Sequence, residues 1–128
     1  MKKEFPLRGK ITEIRERNFI HDLRQLFVSA PPYYVLTISD KEEITRLLYF
    51  EKRDNRILEK LVSDFFDKKE LFIEARILNN RHLKGIIKVG DQTKYALKST
   101  YMKIRAVNNV QPLLIESLEI AYIPNYKD

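Results

Sequence analysis

The sequence predicts a mainly β fold, a small closed barrel with one helix. Three observations carry this. The first strand-like run holds a glycine, Gly9, and then a break in its alternation, as a strongly curved barrel strand needs. The last apolar run, Leu113 to Ile123, is a long strand that a two-layer sandwich would leave over. A strongly basic stretch also falls between the fourth core strand and this last one, where small Greek-key barrels carry a binding loop.

Leu7 to Ile14 (LRGKITEI) alternates Leu7, Gly9 and Ile11 against Arg8, Lys10 and Thr12, the period of a half-buried strand. Ile14 breaks the phase, so a bulge is expected near Thr12 and Glu13. Asn18 to Ser29 reads two ways, as helix or as loop. Phe19, Ile20, Leu23, Leu26 and Phe27 fall at helical spacing behind Asn18, and Pro31-Pro32 ends the segment. Tyr33 to Ser39 (YYVLTIS) is aromatic and β-branched, a strand. A polar turn, Asp40-Lys41-Glu42-Glu43, leads to Ile44 to Phe50 (ITRLLYF), so the two strands make an antiparallel hairpin.

Asp54 or Asn55 then caps a helix whose apolar stripe is Ile57, Leu58, Leu61, Val62, Phe65 and Phe66, with Lys60 and Asp64 as a pair on its outer face. Leu71 to Leu78 (LFIEARIL) is a fourth strand with Leu71, Ile73, Ala75 and Ile77 on one side. Within the basic stretch, Gly85 to Val89 and Thr93 to Lys98 form a hairpin around Gly90-Asp91-Gln92, and Tyr101 to Val107 can add a strand. Asn79-Asn80 and Asn108-Asn109 are turn formers that bracket it.

This order fits two architectures. One is a five-stranded OB-fold Greek-key barrel, with its helix between strands 3 and 4 and a β-hairpin insert between strands 4 and 5. The alternative is an α+β ferredoxin-like sandwich with extra strands, if Asn18 to Ser29 is helical. The three observations above favour the barrel. A chain of 128 residues with 44% hydrophobic and 33% mixed charged residues is expected to be one domain, 1–128, carrying a basic insert at 79–111.

The charge is concentrated. Between Asn79 and Gln111 lie seven bases, Arg81, Lys84, Lys88, Lys94, Lys98, Lys103 and Arg105, against one acid, Asp91. These account for the whole formal charge of +6, and the remaining acids and bases cancel. Tyr95, Tyr101 and His82 are interleaved with the cations. Cations track phosphates and flat rings stack on bases, so the pattern points to a polyanion, nucleic acid first.

LRGKITEI, YYVLTISD, ITRLLYF and LLIESLEI resemble the strands of OB-fold nucleic-acid-binding proteins, of the single-stranded-DNA-binding kind. A strand that ends in an acid before a tight turn, as Tyr34 to Asp40 does, is common in that superfamily. The resemblance covers Leu7 to Asn79 and Leu113 to Ile123 and leaves the insert unmatched. The chain lacks the glycine-rich turns of bacterial single-stranded-DNA-binding proteins, has no tryptophan, and has no long acidic tail. The resemblance implies sequence-tolerant binding of single-stranded DNA or RNA, DNA favoured, by an accessory protein of replication, repair, DNA transfer or a mobile element. A homo-oligomer or a larger nucleoprotein complex fits that role.

Strand phase suggests which residues would bind. With Tyr34, Leu36 and Ile38 inward on the second strand, and Leu48 and Phe50 inward on the third, Tyr33 and Tyr49 face outward, where rings can stack on bases. Arg8 and Lys10 lie on the polar face of the first strand. In the insert, Arg81, Lys84, Lys88, Lys94, Lys98, Lys103 and Arg105 would contact phosphates, with Tyr95 near the hairpin and Tyr101 alternating with Lys103 and Arg105 on one strand face.

No catalytic constellation stands out, and the chain is not expected to be an enzyme. The two histidines, His21 and His82, are far apart, and no cysteine is present, which excludes disulfides, thiolate metal sites and cysteine nucleophiles. No cofactor or metal is expected. Glu42-Glu43, and Asp64 with Asp67, are acidic pairs read as solvated. The start, Met1 to Pro6, has no apolar run after its lysines, and no stretch approaches the ~20 apolar residues of a membrane span. A cytoplasmic protein without a membrane partner is the expectation. A protein-interaction module that docks an acidic partner through the insert is the competing function.

Overall fold

Alternation decides which side of each strand is buried, and it is clearest along β4 (Leu71–Leu78) and β6 (Gln92–Lys103). The computed structural model describes residues 5–18, 32–39, 45–51, 55–78, 81–103 and 110–125. Their elements are β1 (Phe5–Asn18), β2 (Pro32–Ser39), β3 (Thr45–Glu51), α1 (Arg56–Phe66), β4 (Leu71–Leu78), β5 (His82–Val89), β6 (Gln92–Lys103) and β7 (Gln111–Tyr122). The strands close into one barrel in the order β1-β2-β3-β7-β6-β5-β4, with β4 hydrogen-bonded back to β1. Neighbours run antiparallel except β3 and β7, which pair in parallel from Arg46↔Gln111 to Phe50↔Ile115.

The fold is therefore a mainly β barrel with one helix among the described residues, but its wall has seven strands rather than the five expected. The reason lies in the insert. Leu83 and Ile87 on β5, and Tyr95, Leu97 and Tyr101 on β6, are buried in the main core at every second position. A hairpin with such a face cannot stand in water as a loop; it buries the face by joining the wall. β5 pairs with β4 from Leu71↔Val89 to Leu78↔His82, and β6 pairs with β7. The closed barrel also replaces the ferredoxin-like alternative. Asn18 ends β1, and the rest of the ambiguous segment lies outside the described residues.

Tyr34, Leu36 and Ile38 of β2 and Leu48 and Phe50 of β3 point into the core, as their phase predicts. β1 carries a register shift between Ile11 and Glu13, at the expected bulge. Two glycines mark close approaches. A Cβ on Gly9 would stand 2.5 Å from the Ser39 carbonyl oxygen and 2.9 Å from Ile38 Cγ2. A Cβ on Gly85 would overlap the Glu74 carbonyl oxygen and the Ala75 side chain across the β4–β5 pair.

Asn55 is the residue that caps α1: its side chain accepts from the backbone N–H groups of Ile57 and Leu58, each at 3.1 Å. Leu58, Leu61 and Val62 enter the core, while Phe66 at the far end of the stripe stays 63% exposed. Asp64 departs from the expectation. It is buried rather than on an outer face with Lys60, because its carboxylate accepts from the Tyr95 hydroxyl at 2.5 Å and from Lys69 Nζ at 3.2 Å. Lys60 instead lies over the Tyr122 ring, 4.6 Å from its centre.

Gly85→Ala is expected to lower stability by about 1–3 kcal/mol, the cost of overpacking a strand pair that has no room to move apart. Urea unfolding followed by circular dichroism measures it; an unchanged midpoint would show that β4 and β5 can separate without loss.

Candidate functional site

Outward-facing residues are the ones an inside-out alternation leaves over. On β4 these are Phe72, Glu74, Arg76 and Leu78, between the buried Leu71, Ile73, Ala75 and Ile77. On β5 they include His82, Lys84, Ile86 and Lys88, and on β6 Lys94, Ala96, Lys98 and Thr100. Register brings them together. Arg76 stands opposite Lys84, and Lys84 opposite Lys98, a row of three cations across three adjacent strands. Glu119 of β7 follows Lys98 in the same row.

Directly opposed like charges disfavour strand pairing. Lys84 and Lys98 have no ion-pair partner among the described residues. Other cations share this outer face: Arg8 and Lys10 on β1, next to β4, and Lys88, which pairs with Glu74 at 3.5 Å. Lys10 pairs with Glu70 at 3.6 Å. The first of these pairs is half-buried and the second exposed, and both remain open enough to solvent to be weak. A chain of phosphates laid over the face would relieve the repulsion in the row and could displace these carboxylates.

Several expected site residues do lie here: Lys10, Lys84, Lys88 and Lys98. Lys94 faces outward at the edge, half-buried, and its Nζ donates to the Pro124 carbonyl at 2.8 Å. Arg81 is exposed just before β5, with a positive φ of 58°, and Lys103 is exposed at the end of β6. Arg105 lies outside the described residues.

The four tyrosines do not join this face. Tyr95 and Tyr101 are corrected from surface rings to core residues: Tyr95 is fully buried, and Tyr101 follows it on the inward phase. The strand face that Tyr101 shares with Lys103 is the barrel interior, which Lys103 escapes only by standing at the strand's end. Tyr33 and Tyr49 do face outward, but they are no open stacking platform. With Val35, Leu114 and the half-buried Leu47 they form a second apolar cluster over β2, β3 and β7, and neither is more than 8% exposed. The two tyrosines also lie away from the cationic face: β7 separates their strands, β2 and β3, from β6 on one side, and β1 and β4 separate them from β5 on the other.

Arg76 and Phe72 are the outward residues of this face that sequence reasoning passed over. Attention went to the basic insert, while both belong to the strand before it. The signal was present in LFIEARIL, since burying Leu71, Ile73, Ala75 and Ile77 turns Phe72 and Arg76 outward.

Two other features carry different chemistry. A cleft of about 280 Å³ between the end of β3, the start of α1 and the middle of β7 is lined by Phe50, Glu51, Asn55, Ile115, Glu116, Ser117 and Leu118; its carboxylates make it unsuited to phosphate. At one end of the barrel, burial first, and the Asp64 carboxylate beside it second, hold the Tyr95 phenol protonated far above the usual phenol range. Among the described residues no three His, Asp or Glu side chains gather as metal ligands, and no helix is long and apolar enough to cross a membrane.

Comparison with protein-family models, with curated proteins and with solved structures returns no match to this chain.

Tyr95→Phe is expected to cost about 1–3 kcal/mol at neutral pH, because it leaves one oxygen of a buried carboxylate without its donor. Folding favours the neutral phenol, so Tyr95 stabilises the native state below the ordinary phenol pKa of 10.0, and this contribution is lost as pH rises beyond it. The gap between wild type and Tyr95→Phe in thermal melts should therefore narrow above about pH 10. A gap that stays constant to pH 11 would contradict the role given to this hydroxyl.

Proposed function

We propose that this chain binds nucleic acid without sequence preference, through the phosphate backbone, on the outer face of β4, β5 and β6. The observation that carries the reading is the row Arg76, Lys84 and Lys98, opposed cations held in register on a rigid wall. Within the row, Lys84 and Lys98 oppose each other without an ion-pair partner among the described residues, which disfavours their pairing. A polyanion turns the cost into binding energy, and released counterions add to it. The contacts on offer are to charge, not to base edges, so they carry no sequence information. An accessory role in replication, repair, DNA transfer or a mobile element suits such a binder.

The strand order supports an OB-type barrel widened by one hairpin. Leaving out β5 and β6 gives β1-β2-β3-β7 with β4 beside β1, and α1 stands between the third and fourth strands. That order is compatible with a five-stranded Greek-key ancestor in which the fifth strand met the fourth directly. On this reading the widening hairpin supplies the binding wall.

Fluorescence anisotropy with labelled oligo-dT, a duplex and an RNA of equal length should give affinity that falls steeply with salt, with a slope near −0.7 per phosphate neutralised on a single strand. Lys84→Glu with Lys98→Glu should weaken binding at least tenfold at 150 mM salt and flatten that slope. Salt-independent affinity, or no binding at low salt, would turn the cationic face over to an acidic protein partner.

A further inference from the structure

The cations alone would hold single and double strands alike. One residue among them would not. Phe72 is the second residue of β4, facing outward, with Lys10 of β1 directly across on one side and Lys88 of β5 directly across on the other. It is half-buried and belongs to neither apolar cluster, although its neighbours Leu71 and Ile73 are fully buried in the core. Cross-strand neighbours stand about 5 Å apart. Register thus sets an aromatic side chain between two lysines on the flanking strands.

We propose that Phe72 is the base-stacking platform of this face, and that it makes the protein prefer single-stranded nucleic acid. The inference rests on the phosphate-binding reading above and adds the substrate class to it. A base stacks on the ring while the phosphates that flank it meet Lys10 and Lys88. Each lysine exchanges a carboxylate, Glu70 or Glu74, for a phosphate. A single strand can present an unpaired base face to the ring; a duplex keeps its base faces stacked inside and meets only the cations. Every base has such a face, so the contact keeps sequence tolerance.

A surface phenylalanine can also do no more than cover lysine stems. Phe72→Leu separates the two roles, because leucine keeps the apolar cover and loses the π-face. It should weaken oligo-dT binding roughly tenfold and leave duplex binding unchanged. Phe72→Trp should restore or tighten oligo-dT binding. The chain has no tryptophan of its own, so the emission of that variant reports on this site alone and should be quenched as oligo-dT saturates. Thermal melts confirm that both variants fold. Unchanged selectivity in Phe72→Leu, or tryptophan emission untouched at saturation, overturns this inference and leaves the phosphate reading standing. Wild-type protein that binds neither strand form overturns both.

Discussion

A sheet with one apolar face has two liabilities, an exposed face and two unpaired edges. This chain removes both with one device, the closure of β4 onto β1 and of β3 onto β7. Closure leaves no strand free to choose its own orientation. Each residue is assigned to the interior or the exterior by its parity along the strand. The core follows from this assignment, and so does the surface. Tyr95 was drawn into the interior by the same rule that sent Lys94 outward.

The cost of a closed wall is that its ends need seals. At one end the seal is polar. The Asp64 carboxylate of α1 meets the Tyr95 hydroxyl of β6, whose ring lies 5.4 Å from that of Tyr122 on β7, and Lys60 covers Tyr122 from the helix side. The Gly90 N–H donates to the Glu70 carbonyl at 2.9 Å and fastens the β5–β6 turn beside it. The hairpin that widens the barrel is thus tied to the helix as well as to its neighbouring strands. Its outer face is therefore braced from both sides of the strand pair and from the helix.

Strand positions were readable in the sequence because period two is a local signal. The bulge after Ile11, the inward sets of β2 and β3, and the whole of β4 could be taken from alternation alone. The strand count could not, because whether a hairpin stands outside a barrel or within its wall depends on partners distant in sequence. Here the decisive clue was composition on the wrong side of a charge pattern. The cations of 79–111 alternate with Leu83, Ile87, Tyr95 and Leu97, whose burial makes the segment a piece of wall. The candidate site was half legible for the same reason. Its lysines announce themselves as charge, while Arg76 and Phe72 become visible only once register sets β4 beside β5. Asp64 looked like a solvated acid because nothing near it in sequence foretells Tyr95, 31 residues away.

The tight fit of Gly85 against Ala75 has a consequence for how this surface can change over time. Sliding β5 by one residue would drive Lys84 into the interior and put Leu83 in water, so the core rejects any slip. The spacing of the cations therefore follows from hydrophobic packing and not from the charges themselves. Single substitutions can add or erase a cation at a given address, but none can move the addresses. A lineage of this barrel could retune what its wall attracts within a few mutations and still keep the same grid of positions on which to write.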